Sequence, residues 1–357
     1  MIDSKTYLVV CKEYTRLRIR YLLLCTLYFI LATDCYSQDI HFSQFSQSPL
    51  QINPAMTGFY DGYHRGIMNY KNQWAAMGNA FKTISASYDM PLVFNKNRKK
   101  SYLGAGVSFF KDKAGDSQLG ISQVNLSVSG IVPINVNHKF SAGLQAGFAQ
   151  RSIDASKLTW QSQFDGFQFD PNLVSHELQG STSFSYLDVG AGTFYEFSNK
   201  ESSIEADDFF RVNAGVAMFH VNQPKQKFSS NNEKLNSKLL FFASAHYDIP
   251  ETKYTVLPNV LFMKQGGITQ LNIGTSAKYK VKEGTKITGL YSESAIGLGL
   301  NYRLKDAVIP QVFYELGSYF ISLSYDFNLS TYRNVSAGRG GFEITLRYTT
   351  LKNALRK

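Results

Sequence analysis

Apolar and polar side chains alternate along this chain almost without interruption from Tyr63 to the C-terminal end. In 139–148, Phe140, Ala142, Leu144, Ala146 and Phe148 share one face, and Lys139, Ser141, Gly143, Gln145 and Gly147 share the other. The run before it sets Val124, Leu126, Val128 and Val132 against Gln123, Asn125, Ser127 and Ser129. Near the end, Ile296, Leu298, Leu300, Tyr302 and Leu304 alternate with Gly297, Gly299, Asn301 and Arg303. Tyr319, Ile321, Leu323, Tyr325 and Phe327 follow the same rule, as do Phe342, Ile344, Leu346 and Tyr348. A period of two places successive side chains on opposite faces, so each run predicts a β-strand with one apolar face. The expected strands are 63–73, 80–90, 101–111, 119–133, 137–151, 181–198, 208–222, 238–250, 253–264, 267–282, 294–304, 307–316, 318–328 and 339–350. Pro258 and Pro310 fall inside two of them, and each removes a ladder hydrogen bond.

Alternation alone fits either a soluble sandwich or a barrel in lipid. Strand length separates them. A sandwich strand averages about 5–6 residues, whereas a tilted membrane strand needs about 9–11. Several of these runs are longer still. The expectation is an all-β, transmembrane antiparallel β-barrel of about 14 strands, with both ends of the barrel on the periplasmic side. Parity then puts 74–79, 112–118, 152–180, 223–237 and 329–338 outside. The connections 134–136, 251–252 and a tight turn near Gly317 fall inside. Two further inward connections, 91–100 and 283–293, are longer than such barrels prefer.

Composition agrees. Aromatics make up 14% of the chain and charged residues only 18%, a balance suited to half-buried pleated strands. Residues 1–37 read as a signal peptide. Arg16, Arg18 and Arg20 form its basic region, Tyr21 to Ala32 its apolar run, and Cys35 and Ser37 supply small residues before cleavage at Gln38. A lipoprotein site at Cys35 is the rival, and Thr33 and Asp34 suit it poorly. All three cysteines (Cys11, Cys25 and Cys35) lie in this segment, so the mature chain carries no disulfide. No other stretch approaches the ~20 apolar residues of a membrane helix. Residues 38–62 form a leader, ordered or inserted in the lumen as a possible plug. The barrel occupies 63–350, and a short tail occupies 351–357.

The formal net charge of +10 would suit nucleic acid, but export excludes that partner. The basic residues are also dispersed, apart from Lys96, Arg98, Lys99 and Lys100. Catalytic or cofactor chemistry has little to build on. His41, His64, His138, His176, His220 and His246 form no metal-binding pair, and cysteine ligands are missing from the mature chain. His220 or His246 could serve a barrel hydrolase, but no serine motif accompanies them. Gly104, Gly106 and Gly115, or Gly297 and Gly299, lie in strands rather than at a strand-to-helix turn. They therefore read as wall packing, not nucleotide loops. The strand charges Asp188, Glu196, Arg211, Lys278, Arg303, Asp326, Glu343 and Arg347 read as solvating and cross-pairing in a lumen, with a selectivity role as the sharper reading. The long 152–180 connection carries Trp160, Phe164, Phe167 and Phe169 among Gln and Asp. Exposed aromatics of this kind can anchor a protein partner. The alternative is that they fold inward or join an aromatic girdle at the membrane interface.

Several segments carry a resemblance. Gln38–Phe45 runs into Ser48-Pro49-Leu50 and Asn53-Pro54-Ala55-Met56-Thr57-Gly58. Tyr70-Lys71-Asn72-Gln73-Trp74, Ser87-Tyr88-Asp89-Met90-Pro91-Leu92 and Asp112-Lys113-Ala114-Gly115-Asp116 follow. Then come Gly143–Gly147, Gln150–Asp154, Lys157–Trp160, Tyr302-Arg303, Lys305-Asp306-Ala307 and Ser324-Tyr325-Asp326. In this order, over essentially the whole mature chain, they resemble the PorP/SprF family of type IX secretion membrane proteins. The resemblance implies an integral outer-membrane barrel in a Bacteroidota-type bacterium. It would have no enzyme activity and no cofactor. Its partners would be outer-membrane lipid, type IX components in the outer membrane or periplasm, and a secreted cargo protein such as a gliding adhesin. The core and cargo-dedicated versions of such proteins stay unseparated. A passive porin and a lipid-modifying barrel enzyme are the competing functions.

Overall fold

The computed structural model describes residues 39–73, 81–92, 100–115, 117–175, 182–200, 209–226, 233–282, 293–329 and 339–350. The expected signal peptide, the tail, His176 and the basic residues of 96–99 lie outside them. From Ile40 onward the chain forms one compact unit. Its strands are β1 (Arg65–Gln73), β2 (Phe81–Leu92), β3 (Tyr102–Ala114), β4 (Leu119–Pro133), β5 (His138–Ser152), β6 (Ser183–Lys200) and β7 (Phe209–Phe219). The second half comprises β8 (Lys238–Asp248), β9 (Tyr254–Gln265), β10 (Ile268–Lys282), β11 (Ser294–Arg303), β12 (Ala307–Leu316), β13 (Tyr319–Asn328) and β14 (Arg339–Thr349). Each strand pairs antiparallel with the next. β14 returns to β1, with Arg65 opposite Thr349 and Gln73 opposite Gly341, so the sheet closes as a fourteen-stranded barrel without an edge. The start of β1 and the end of β14 share one rim, here called the terminal mouth. The connection between β5 and β6 lies at the opposite rim, the loop mouth.

The faces follow the alternation. Leu298 is 67% exposed and Leu144 62%, while Asn301, Arg303, Ser127 and Ser129 on the other face are buried. Every strand presents apolar side chains outward. A soluble monomer rarely exposes so much contiguous apolar surface, so the wall is built for a lipid surround.

The lumen is less uniformly polar than alternation predicts. On β6 to β9, Phe194, Ala217, Phe219, Leu240, Phe242, Leu261 and Met263 point inward and are buried. Their outward neighbours Leu239 and Phe241 are exposed. In Leu239–Phe242, then, both faces are apolar, and the inner one has something apolar to cover.

Both prolines lie inside their strands, at gaps in one ladder. β8 and β9 pair at Ser244–Asn259 and again at Tyr247–Val256, and Pro258 falls between. β12 and β13 pair at Gln311–Ser324 and at Val308–Phe327, with Pro310 between. On its other side β13 shifts register against β14 between Tyr325 and Phe327, a bulge that centres on Asp326. The missing donor is thus accommodated where pairing is already broken.

Candidate functional site

Two features stand apart from the wall: the leader within the lumen and the long connection at the loop mouth.

The leader runs the length of the lumen. Ile40 packs against Phe110, Ile121, Phe184 and Tyr186 at strand ends by the loop mouth. A 3-10 turn (Phe45–Gln47), one short helix α1 (Pro49–Ile52) and a second 3-10 turn (Pro54–Met56) carry the chain to β1 at the terminal mouth. Local chemistry sets these turns. Pro49 and Pro54 stand at first helical positions, where a missing N–H costs nothing. The Asn53 side chain caps the second turn by accepting from the Ala55 N–H at 2.9 Å. Phe45, Ile52, Ala55 and Phe59 fill the apolar inner wall of β6 to β9. Phe59 meets Phe194 edge to face at 5.0 Å, and Phe45 meets Phe242 at 6.3 Å. Each buried phenyl contributes about 1.5–3 kcal/mol.

Polar contacts tie the leader to opposite parts of the wall. Toward the loop mouth, Glu343 accepts the backbone N–H of Ser43 at 2.7 Å and of Gln44 at 3.0 Å. The Ser43 hydroxyl donates to Asp326 at 2.8 Å. Asp326 also pairs with Arg303 at 2.5 Å and Lys71 at 3.8 Å, and Lys71 donates to the His41 carbonyl at 3.1 Å. Across the barrel, Asn53 donates to the Thr193 carbonyl at 2.8 Å, Ser141 to the Ala55 carbonyl at 2.7 Å and Ser129 to the Thr57 carbonyl at 2.5 Å. Gly143 is required here: a Cβ on it would stand 2.5 Å from the Ala55 nitrogen and the Pro54 carbonyl carbon. Gly104 likewise faces the Thr57 carbonyl. Gly104 thus makes room for the leader as well as for Ser129 of the wall, where its place in a strand had implied wall packing alone.

The strand charges singled out in the sequence all face this lumen, and all have partners. Asp188 meets His220 at 2.8 Å, and Glu196 meets Lys139 at 2.9 Å and Arg211 at 3.5 Å. Glu315 lies 3.3 Å from both Lys278 and Arg347. His246 faces Asp248 at 3.2 Å. Both hydrolase candidates, His220 and His246, therefore point inward against carboxylates. Among the described residues, no group of His, Cys, Asp and Glu could hold a metal ion.

The β5–β6 connection brings its aromatics together only in part. Phe164 and Phe169 pair across an isolated bridge, closing a small hairpin. Asp165 stabilises its tip by accepting the Phe167 N–H at 2.8 Å and the Gln168 N–H at 2.7 Å. Donation from Gln168, then from Phe167, holds the Asp165 carboxyl below its ordinary range. Gly166 supplies the positive φ of +101°. Phe167 projects from the tip, 95% exposed, Phe164 is 55% exposed and Phe169 42%. Trp160 is half-buried at the hairpin's foot, where its backbone N–H donates to the Gln163 side-chain oxygen at 3.2 Å.

In the sequence Ser43, Gln44, Asn53, Thr57 and Asp89 carry only the family resemblance and no assigned role. Each is an ordinary polar residue in its own segment and acquires a role only when the leader meets the wall.

Comparison with solved structures finds outer-membrane barrels at low similarity. A mutant of the TodX monoaromatic hydrocarbon channel is 9% identical, with a TM-score of 0.46, covering 85% of this chain and 94% of that one. The CymD monoaromatic hydrocarbon channel is 9% identical, with a TM-score of 0.42 and coverage of 87% and 94%. BamA from Haemophilus ducreyi, lacking POTRA domains 1-3, is 10% identical, with a TM-score of 0.39 and coverage of 81% and 70%. No curated protein matches the chain. The family profile described as "Type IX secretion system membrane protein PorP/SprF" matches residues 34–348. With a closed, outwardly apolar barrel and a match over most of its length, this chain belongs to the PorP/SprF family and is an integral outer-membrane component of the type IX secretion system.

Proposed function

We propose that this protein is a non-enzymatic docking component that supports export or surface attachment of secreted proteins, gliding adhesins among them, and that it does not conduct solutes. The observation that carries the reading is the leader, fastened to the β13–β14 wall by Glu343 and Asp326 and to the β4–β6 wall through Ser129, Ser141 and Thr193. A segment bound to opposite walls along the lumen suits a plug better than a passage. Work is then done at the rims. The terminal mouth faces the periplasm, where type IX components lie, and the aromatic hairpin of the loop mouth faces out.

Two measurements test this. In planar bilayers, the intact chain shows no steady conductance, while a variant lacking 41–58 conducts. Equal, steady conductance from both would establish the porin reading instead. Cross-linked material purified from outer membrane should yield type IX components and one or a few large secreted proteins by mass spectrometry. Recovery of the barrel alone would remove the docking role.

A further inference from the structure

Beside the leader, the lumen keeps an open polar space. A cavity of about 340 Å³ lies between the leader's Ser46–Gln47 and the inner faces of β7 to β10 and β12 to β14. A second, of about 470 Å³, continues to the terminal mouth past Tyr60, Asp61 and Ser318. Arg211, His246, Lys278, Glu315 and Arg347 line both, so the two form one continuous vestibule. We propose that this vestibule is an oxyanion-binding site, taking a carboxylate or phosphate group that arrives through the terminal mouth.

The charge arrangement supports it. The inner cavity presents three cations, Arg211, Lys278 and Arg347, with Glu315 as its one carboxylate. Glu315 is shared between Lys278 and Arg347, each at 3.3 Å, so one carboxylate faces two positive groups. Arg211 pairs with Asp61 toward the terminal mouth and with Glu196, which stands opposite Asn213 one step deeper, and Glu293 lines only the outer cavity. An entering anion therefore meets Lys278 and Arg347, two cations that share a single carboxylate.

The donors are also held in place. The Arg347 guanidinium lies 4.4 Å over the Phe320 ring, and that of Arg211 lies 4.7 Å over Phe209. Stacking fixes the plane of a guanidinium and leaves its edge free to donate, the geometry that suits two-pronged recognition of carboxylate or phosphate. Arg347 additionally donates to the Gln47 side chain at 2.9 Å. An anion engaging Arg347 therefore competes with both Glu315 and the leader, and the site is coupled to the segment that fills the lumen.

The test is calorimetric titration of the folded, detergent-solubilised full chain with inorganic phosphate and, separately, with acetate. Heat-modifiable gel mobility serves as the folding control. The wild-type protein shows one saturable site for at least one of the two. Whichever binds more tightly identifies the oxyanion as phosphate-like or carboxylate-like. Lys278→Gln and Arg347→Gln each weaken it by about ten-fold or more, the worth of a charge-assisted hydrogen bond. Glu315→Gln tightens it, because the competing carboxylate is gone. Among the described residues Lys278 makes no hydrogen bond or ion pair with the leader, so its variant stays informative if Arg347→Gln misfolds. Absence of saturable heat with both anions, or weaker binding in Glu315→Gln, overturns the proposal.

Discussion

Arg65 and Asp89 meet through two parallel hydrogen bonds, Nε to Oδ1 at 2.9 Å and Nη2 to Oδ2 at 2.7 Å, where leader becomes barrel. The two residues stand opposite each other in the β1–β2 ladder. The same Asp89 oxygen accepts the Gly58 N–H at 2.7 Å, and Arg65 donates to the Met56 carbonyl at 3.2 Å. The Tyr60 ring lies 4.2 Å from the guanidinium. One buried ion pair thus fixes both the first ladder and the leader's exit. Asp89→Ala strands the Arg65 charge and is expected to cost about 3–5 kcal/mol in urea unfolding from lipid vesicles. Arg65→Met combined with Asp89→Leu should recover part of that loss. No recovery would mean that the leader contacts, not the stranded charge, dominate.

The faces give a second expectation. Leu298→Arg places a cation in the acyl layer and should cost about 2–4 kcal/mol if the residue sits near the midplane. Asn301 is a poor lumen control, because its side chain packs against the Gly274 backbone. Ser244 lines open space in the vestibule, so Ser244→Arg should cost far less in the same unfolding assay. Equal losses at both sites would count against this assignment of faces.

Gly143 gives a third. Gly143→Val requires the leader's Pro54–Ala55 backbone to move, since the contact is main chain on the leader side. The barrel should still fold, while limited proteolysis cuts within 41–58. Gly130 lies in the neighbouring strand with open space where a methyl group would stand, so Gly130→Ala serves as the control. Equal protection in both variants would show that the leader can yield without leaving.

These expectations separate what the sequence makes visible from what it hides. The lipid face was legible because lipid asks only that every second residue be apolar, and Leu144, Leu298 and Leu346 obey. Strand number and parity followed from that period and the turn positions. The leader's path was not legible. Its contacts join residues about three hundred positions apart, as Ser43 to Glu343, and no local spacing encodes such a pairing. The apolar inner wall at Leu240 and Phe242 broke the alternation, and that break was the one local sign that something apolar lies inside. Pro258 and Pro310 implied a lost ladder hydrogen bond each, and one ladder opens around each of them while the strand continues. In the loop, the four aromatics were visible as a set, but their unequal exposure depends on the Asp165 turn.

That turn is expected to respond to pH. The folded Asp165 carboxyl titrates below its unfolded value, because Gln168 and Phe167 donate to its charged form. Its contribution is therefore fully present above the unfolded carboxyl range and is lost as pH falls through the folded value. In a Trp74→Phe background, Trp160 emission should be constant at neutral pH and change on acidification. Asp165→Asn should shift that change or abolish it. A wild-type profile in Asp165→Asn would assign the transition to another group.

The hairpin itself carries the last prediction. Phe167, Phe164 and Phe169 stand clear of the strands, whereas Trp160 is half-buried at the foot. Aromatics on a rigid turn with a polar surround make an anchor set, because little conformational freedom is lost when they are covered. The tip should therefore dominate: Phe167→Ala is expected to weaken retention of a secreted partner by about 2 kcal/mol, and Phe164→Ala by less. Trp160→Ala should act mainly by loosening the hairpin, so its effect should be accompanied by faster proteolysis of the loop. The measurement is a pull-down of outer-membrane partners with each variant, beside heat-modifiable gel mobility. None of these side chains belongs to the barrel ladder, so assembly should be unchanged. Normal partner recovery by a folded Phe167→Ala, Phe164→Ala double variant would remove the hairpin as a docking element and leave the terminal mouth as the place to look.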